Sequence, residues 1–220
     1  EELKSRNAAL ETVTVEQKSR IEELTYELKS GRKEMEEIIH EFGFATLFSI
    51  NEGEPYATQL PLLLTNDGNH LVGHFAKGNP QWKDLDGQSV LVVFQGPHCY
   101  ISPSWYETQN TVPTWNYVTV HVKGKVHIMN EEDPRLWQSM VDLTEKYEGQ
   151  TSNYTLDDVE NDMIANLSKG VVGFTISIDQ MEGKAKLSQN HSAERRERVI
   201  TALHNTGKPQ EQSIAKRMER

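Results

Sequence analysis

FQGPHCYISPSWYETQNTVPTWNY, Phe94 to Tyr117, is the stretch whose reading decides the fold. It lies between two β-like runs, Ser89 to Phe94 and Tyr117 to Met129, and so reads as a connection between strands. Such connections are mostly small and polar. This one holds Trp105 and Trp115, two of the chain's four tryptophans, together with Tyr100, Tyr106 and Tyr117. Pro97, Pro103 and Pro113 stiffen it, and Gly96, His98, Ser102, Ser104 and Asn116 add polar groups. So many rigid rings need cover from the chain's own core, a second subunit or a flat ligand.

Outward from that stretch, short runs alternate between apolar and polar residues. Phe44 to Ile50 reads as a strand closed by the turn Asn51-Glu52-Gly53-Glu54. Tyr56 to Leu64 follows, with Pro61 implying an edge or a bulge, and Asn66-Asp67-Gly68-Asn69 is a hairpin turn. His70 to Ala76 is a third strand, broken by Lys77-Gly78-Asn79-Pro80, and Gln81 to Leu85 is a short helical turn. Ser89 to Phe94, Tyr117 to Met129 with a bend at Gly124, and Val171 to Met181 complete the set, the last ending at a Glu182-Gly183 turn. Many short antiparallel strands joined by tight turns make a barrel or a sandwich, in a mainly β, α+β chain.

The helices lie outside this block. Leu3, Leu10, Ile21, Leu24, Leu28, Met35, Ile38 and Phe42 fall on three- and four-residue steps, as in a coiled coil or an amphipathic helix on a globular body. Gly31 divides that pattern, leaving a firm helix from Arg32 to Glu41 and an atypical helical extension over residues 1–31. Glu131 to Glu148 is a helix opened by Asp133-Pro134. Leu156 to Asn166 and Ser192 to Leu203 are two more. The main domain therefore runs over residues 32–204, and residues 205–220 read as a polar tail that frays.

Composition excludes several classes. The chain of 220 residues has 36% hydrophobic and 25% charged residues, enough for one large or two small domains. It has no run of about 18 apolar residues, so no membrane span is expected. No apolar segment follows a basic start, so no signal peptide is expected either. The lone Cys99 forbids an intrachain disulfide and fits a reducing cytoplasm. A net charge of −10 argues against general nucleic-acid affinity. Residues 184–220 are locally basic, however, with nine Lys or Arg against four Glu, and Arg195, Arg196 and Arg198 can touch a phosphate backbone. A solvated helix face is the plainer account of that cluster.

Enzyme signatures are absent: there is no Walker A loop, GxGxxG, GxSxG or HExxH. His121 and His127 share a strand face with lysines between them, a solvated face rather than a metal site. The segment GHFAKGNPQW, Gly73 to Trp82, carries more chemistry. His74 and Lys77 can meet a phosphate, Gly78 and Asn79 can present backbone N–H groups to it, and Trp82 offers an aromatic wall. Thr58 and Gln59 can read the edge of a planar heterocycle. Each also has a purely structural role open to it, as a turn residue or an exposed strand residue.

Taken together, FATLFS (Phe44 to Ser49), YATQLPLLL (Tyr56 to Leu64), HFAKGNPQW (His74 to Trp82), VFQGPHCYISPSWY (Val93 to Tyr106), VPTWNYVTVHVKGKV (Val112 to Val126) and KLSQN (Lys186 to Asn190) resemble the PaiB family. These are FMN-binding transcriptional regulators described as negative regulators of protease synthesis and sporulation. The resemblance covers roughly residues 33–204. It implies a split β-barrel of the FMN-binding, pyridoxamine-phosphate-oxidase-like type with flanking helices, and a homodimer with FMN between subunits. It places the phosphate near His74, Lys77 and Asn79 and the flavin ring near Thr58, Gln59 and Leu60. It draws Trp105, Trp115 and Gln189 from the partner. Two features depart from the family: residues 1–31 replace a short Tyr-x-Pro start, and His191 follows KLSQN where a basic residue is usual. The resemblance implies a cytoplasmic repressor, acting on DNA directly or through a partner. A flavin oxidoreductase or oxidase-like enzyme and a cofactor-free dimeric interaction module are the alternatives.

Overall fold

Alternation along the first strand sets the inside and outside of the molecule. In β1 (Phe44–Asn51), Ala45, Leu47 and Ser49 are buried, while Phe44, Phe48 and Ile50 face out. The computed structural model describes residues 31–106, 112–130, 132–149, 152, 154, 156 and 169–220. The expected coiled-coil segment before Gly31 and nearly all of the expected helix Leu156 to Asn166 lie outside these residues.

Among the described residues, seven antiparallel strands form one sheet: β1, β2 (Glu54–Pro61), β3 (Leu63–Leu64), β4 (His70–Ala76), β5 (Ser89–Ile101), β6 (Thr114–Ile128) and β7 (Val171–Lys186). Their order is β2-β1-β5-β6-β7-β4-β3. The two ends of this order are consecutive in the chain, so the sheet closes on itself as a barrel. Pro61 makes the closure possible. Having no N–H, it ends the ladder at Phe44 opposite Pro61. The Leu62 amide then donates to the Gly43 carbonyl (2.8 Å), and Leu63 and Leu64 cross over to pair with Val72 and Leu71. The interior is filled by Leu47, Leu60, Leu62, Leu71, Val92, Phe94, Val122 and Ile176, with Phe75 stacked on Phe174 at 4.7 Å. Each such side chain contributes about 1.5–3 kcal/mol of burial.

Among the described residues, four helices flank the barrel. α1 spans 31–41, α2 is Pro134–Glu148, α3 is Ala193–Asn205 and α4 is Pro209–Met218. The side chain of Asp133 accepts from the Arg135 amide and caps α2, whose N1 proline supplies the ready-made φ.

Three expectations are corrected. The strand β7 does not turn at Glu182-Gly183; it continues to Lys186. Gly183 is there for clearance, because a Cβ on it would meet Met35 Cγ of α1 at 2.9 Å. The polar C-terminus does not fray. It forms α4, which buries Ile214, Ala215 and Met218. Finally, much of the aromatic stretch is sheet. Strand β5 runs through Gly96-Pro97, where the register shifts between Gln95 and His98, and pairs on to Ile101 opposite Thr114. The bend expected at Gly124 coincides with a second register shift between Lys123 and Gly124.

Candidate functional site

The paired ends of β5 and β6 form a two-faced arm. Cys99, Ile101 and Asn116 face inward and are buried. His98 opposite Tyr117 and Tyr100 opposite Trp115 face outward. Tyr100 and Trp115 meet edge to face at 6.2 Å, yet keep 45% and 54% of their surface in water. The inward face is locked by a polar knot. The hydroxyls of Tyr106 and Ser188 lie 2.9 Å apart, and Asn116 Nδ2 donates to Ser188 Oγ at 3.1 Å. Ser188 has a left-handed φ of 61°, which this knot holds in place. His191 lies against the Tyr106 ring at 4.3 Å. Of the aromatic residues, then, Tyr106 serves the interior and Trp115 the surface.

At the other end of the strands sits the turn from Lys77 to Asn79, followed by the 3-10 turn Pro80–Asp84. Asn79 Nδ2 donates to Thr58 Oγ1 at 2.9 Å, which brings two of the predicted residues together and leaves the Thr58 proton available. Asn79 Oδ1 accepts from the Gln81 amide at 2.9 Å. Lys77 is exposed, and a Cβ on Gly78 would meet nothing within 4 Å, so a ligand can approach this backbone. Trp82 braces the turn by donating its indole N–H to the Lys77 carbonyl (3.0 Å). Gln59 is exposed on β2.

Other predicted residues stand apart. The Asn79 amide closes the turn on the Ala76 carbonyl (2.9 Å) and is not available to an anion. Leu60 is 4% exposed and belongs to the core. His74 pairs with Gly173 on the sheet face covered by α2, where a Cβ on Gly173 would meet Leu136. Burial there holds the imidazole below its ordinary pKa, and its Nδ1 has no partner. Trp105 packs half-buried beside α3, in a cleft of about 500 Å³ with Glu194, Arg198 and Asn205. Gln189 folds onto its own turn, accepting from the Leu187 amide (2.7 Å) and donating to the Ala185 carbonyl (2.6 Å). Arg196 donates to the Met218 carbonyl at 2.6 Å and Arg198 to Glu194 at 2.8 Å, while Arg195 is exposed.

The two halves are far apart in one chain. Thr58 is level with Leu47, Val92 and Val122, and Trp115 lies seven residues along β6 from Val122. That is roughly 20 Å along the strands and about 14 Å across them. A flavin ring beside Thr58 does not reach Trp115 of the same molecule. Between them the outer face of β1 shows Phe44, Phe48 and Ile50 at 66%, 40% and 50% exposure.

A closed antiparallel barrel with a side-chain-anchored turn at one end and an aromatic arm at the other is the split-barrel architecture of flavin-nucleotide proteins. The FAD and heme binding protein of Mycobacterium smegmatis shares it, with a TM-score of 0.52 at 15% identity over 78% of this chain and 77% of that one. The family described as "Putative FMN-binding domain" matches residues 27–180. The protease synthase and sporulation protein PAI 2 of Bacillus subtilis is 38% identical over 194 residues, which is 86% of this chain and 92% of that protein. The uncharacterized protein AN0679 of Emericella nidulans is 30% identical over 69% of this chain. The chain belongs to the PaiB family of flavin-binding-domain proteins.

Proposed function

We propose that this protein is an FMN-binding negative regulator of protease production and sporulation, working as a homodimer whose two flavin sites each draw on both copies. The separation of the Thr58–Asn79 turn from the Trp115 arm carries this reading. Each chain holds two half-sites that it cannot join, and an apolar face on β1 that a second copy can cover. In that assembly Lys77 and the open Gly78 backbone meet the phosphate, and Thr58 and Gln59 meet the ring edge. Trp115 and Tyr100 of the second copy wall the ring. FMN, when bound, supplies the redox chemistry, and the chain's residues bind and orient it.

The link to protease production and sporulation follows the Bacillus subtilis relative, and the repressing role follows the family resemblance. Direct DNA contact would fall to the C-terminal helices, where Arg196, Arg198, Lys208, Arg217 and Arg220 are already engaged with the Met218 carbonyl, Glu194, Glu211, Glu41 and Glu37, while Arg195 is exposed.

Titration with FMN, followed by quenching of flavin fluorescence, tests the cofactor reading. Saturation at one FMN per chain is expected, and the absence of saturable binding would remove it. Deleting the gene in its own host tests the regulatory reading separately. Secreted protease activity and sporulation are expected to rise, and unchanged levels would leave a flavoprotein without that role.

A further inference from the structure

Gln81 follows Pro80 in a surface turn, yet it is 1% exposed. Its Nε2 donates to Ser49 Oγ at 2.8 Å and more weakly to the Leu47 carbonyl at 3.4 Å. Its backbone amide donates to Asn79, which in turn donates to Thr58. Thr58 sits opposite Leu47 in the β1–β2 ladder. These contacts close a ring from β1 through Gln81 and Asn79 to β2 and back to β1. This ring ties the Lys77–Asn79 turn by side chains to both strands of the first hairpin. Packing alone does not call for a glutamine here. Burying an amide at 1% exposure is costly, and a methionine of similar volume avoids that cost. Gln81 Oε1 is also buried without a partner in the chain.

We propose that Gln81, with Ser49, is a positioning residue for the anion end of the flavin site: it sets Lys77, Gly78 and Asn79 where a phosphomonoester on a planar heterocycle is recognised. The inference rests on the flavin reading above. Neither residue touches the ligand. They act through the turn, so substitution loosens recognition of the phosphate and leaves the ring alone.

The test compares FMN with riboflavin, which lacks the phosphate, on the full chain. For the wild type, FMN is expected to bind more tightly than riboflavin. Gln81→Met is expected to weaken FMN about tenfold with riboflavin unchanged, because an anion contact is lost when its donors drift. Ser49→Ala, which removes only the acceptor of the Gln81 amide, shifts the same ratio in the same direction and carries the test should Gln81→Met fail to fold. A ratio unchanged from wild type in folded variants overturns the assignment, as does equal weakening of both flavins. Equal affinity of the wild type for the two flavins overturns it while sparing the flavin reading. A wild type that binds neither flavin overturns both.

Discussion

Asn116 shows how a residue of the aromatic stretch serves the fold. It is fully buried, and it links the Ser188 hydroxyl to Met218 Sδ at 3.5 Å. Asn116→Ala leaves the buried Ser188–Tyr106 hydroxyl pair without its third member and opens a cavity beside Met218, and is expected to cost about 2–3 kcal/mol in urea unfolding. His74 gives a second expectation. Burial holds its pKa in the fold below the ordinary value of 6.5. The unfolded chain takes up a proton that the folded chain refuses, so stability falls as pH drops through about 6.5 and levels off below the depressed folded pKa. His74→Phe is expected to flatten the midpoint-against-pH curve between neutral and mildly acid conditions. A variant as acid-sensitive as wild type would show that other groups set the slope. Cys99, its thiol raised to about 11 by burial and by the nearby Glu211 carboxylate, is expected to resist alkylation until the chain unfolds. What was legible at this scale was chemistry without direction. The motif string cannot tell Tyr106, buried on Ser188, from Trp115, out in water. Only the register of β5 against β6 assigns each ring to a face.

Among the elements, α4 departs most from its sequence. The segment PQEQSIAKRM is polar, and only Ile214, Ala215 and Met218 mark a face. That face lies behind the arm: the His98 amide donates to Gln210 Oε1 (3.2 Å), and Arg217 pairs with Glu41 of α1 at 2.7 Å. The last helix therefore supports the Tyr100–Trp115 arm from behind. Deleting residues 209–220 exposes Ile214's and Met218's counterparts, and is expected to lower the melting temperature by roughly 10 °C. An unchanged melting temperature would show that α4 only rests on the barrel. The strands were more legible. Alternation located β1, β2 and β4, and Pro61, read as an edge or a bulge, marks where the expected single strand Tyr56 to Leu64 divides into β2 and β3. The ends of β5 and β6 were hidden because Gly96-Pro97 and Pro113 look like loop punctuation, whereas Gly96-Pro97 is absorbed by a bulge.

For the molecule as a whole, the short alternating runs pointed to a mainly β domain, and the family resemblance supplied a barrel that the strand order bears out. The resemblance assigned Trp115 to a second copy, but the residues alone cannot give the distance that sets it apart from Thr58 and Asn79, since that distance exists only in three dimensions. Phe48, 40% exposed on β1, provides one check on the assembly. Phe48→Lys is expected to yield a monomer by light scattering and to abolish FMN binding, with the melting temperature of the monomer within about 3 °C of wild type, because little core is lost. The most direct measurement is complementation between two broken sites. Lys77→Ala damages the turn and Trp115→Ala damages the arm, so each homodimer is expected to bind FMN poorly. After unfolding and refolding the two together, half-sites recombine at random, and about a quarter of the sites regain wild-type affinity if each site spans two copies. A mixture that binds no better than either variant alone would contradict a shared site.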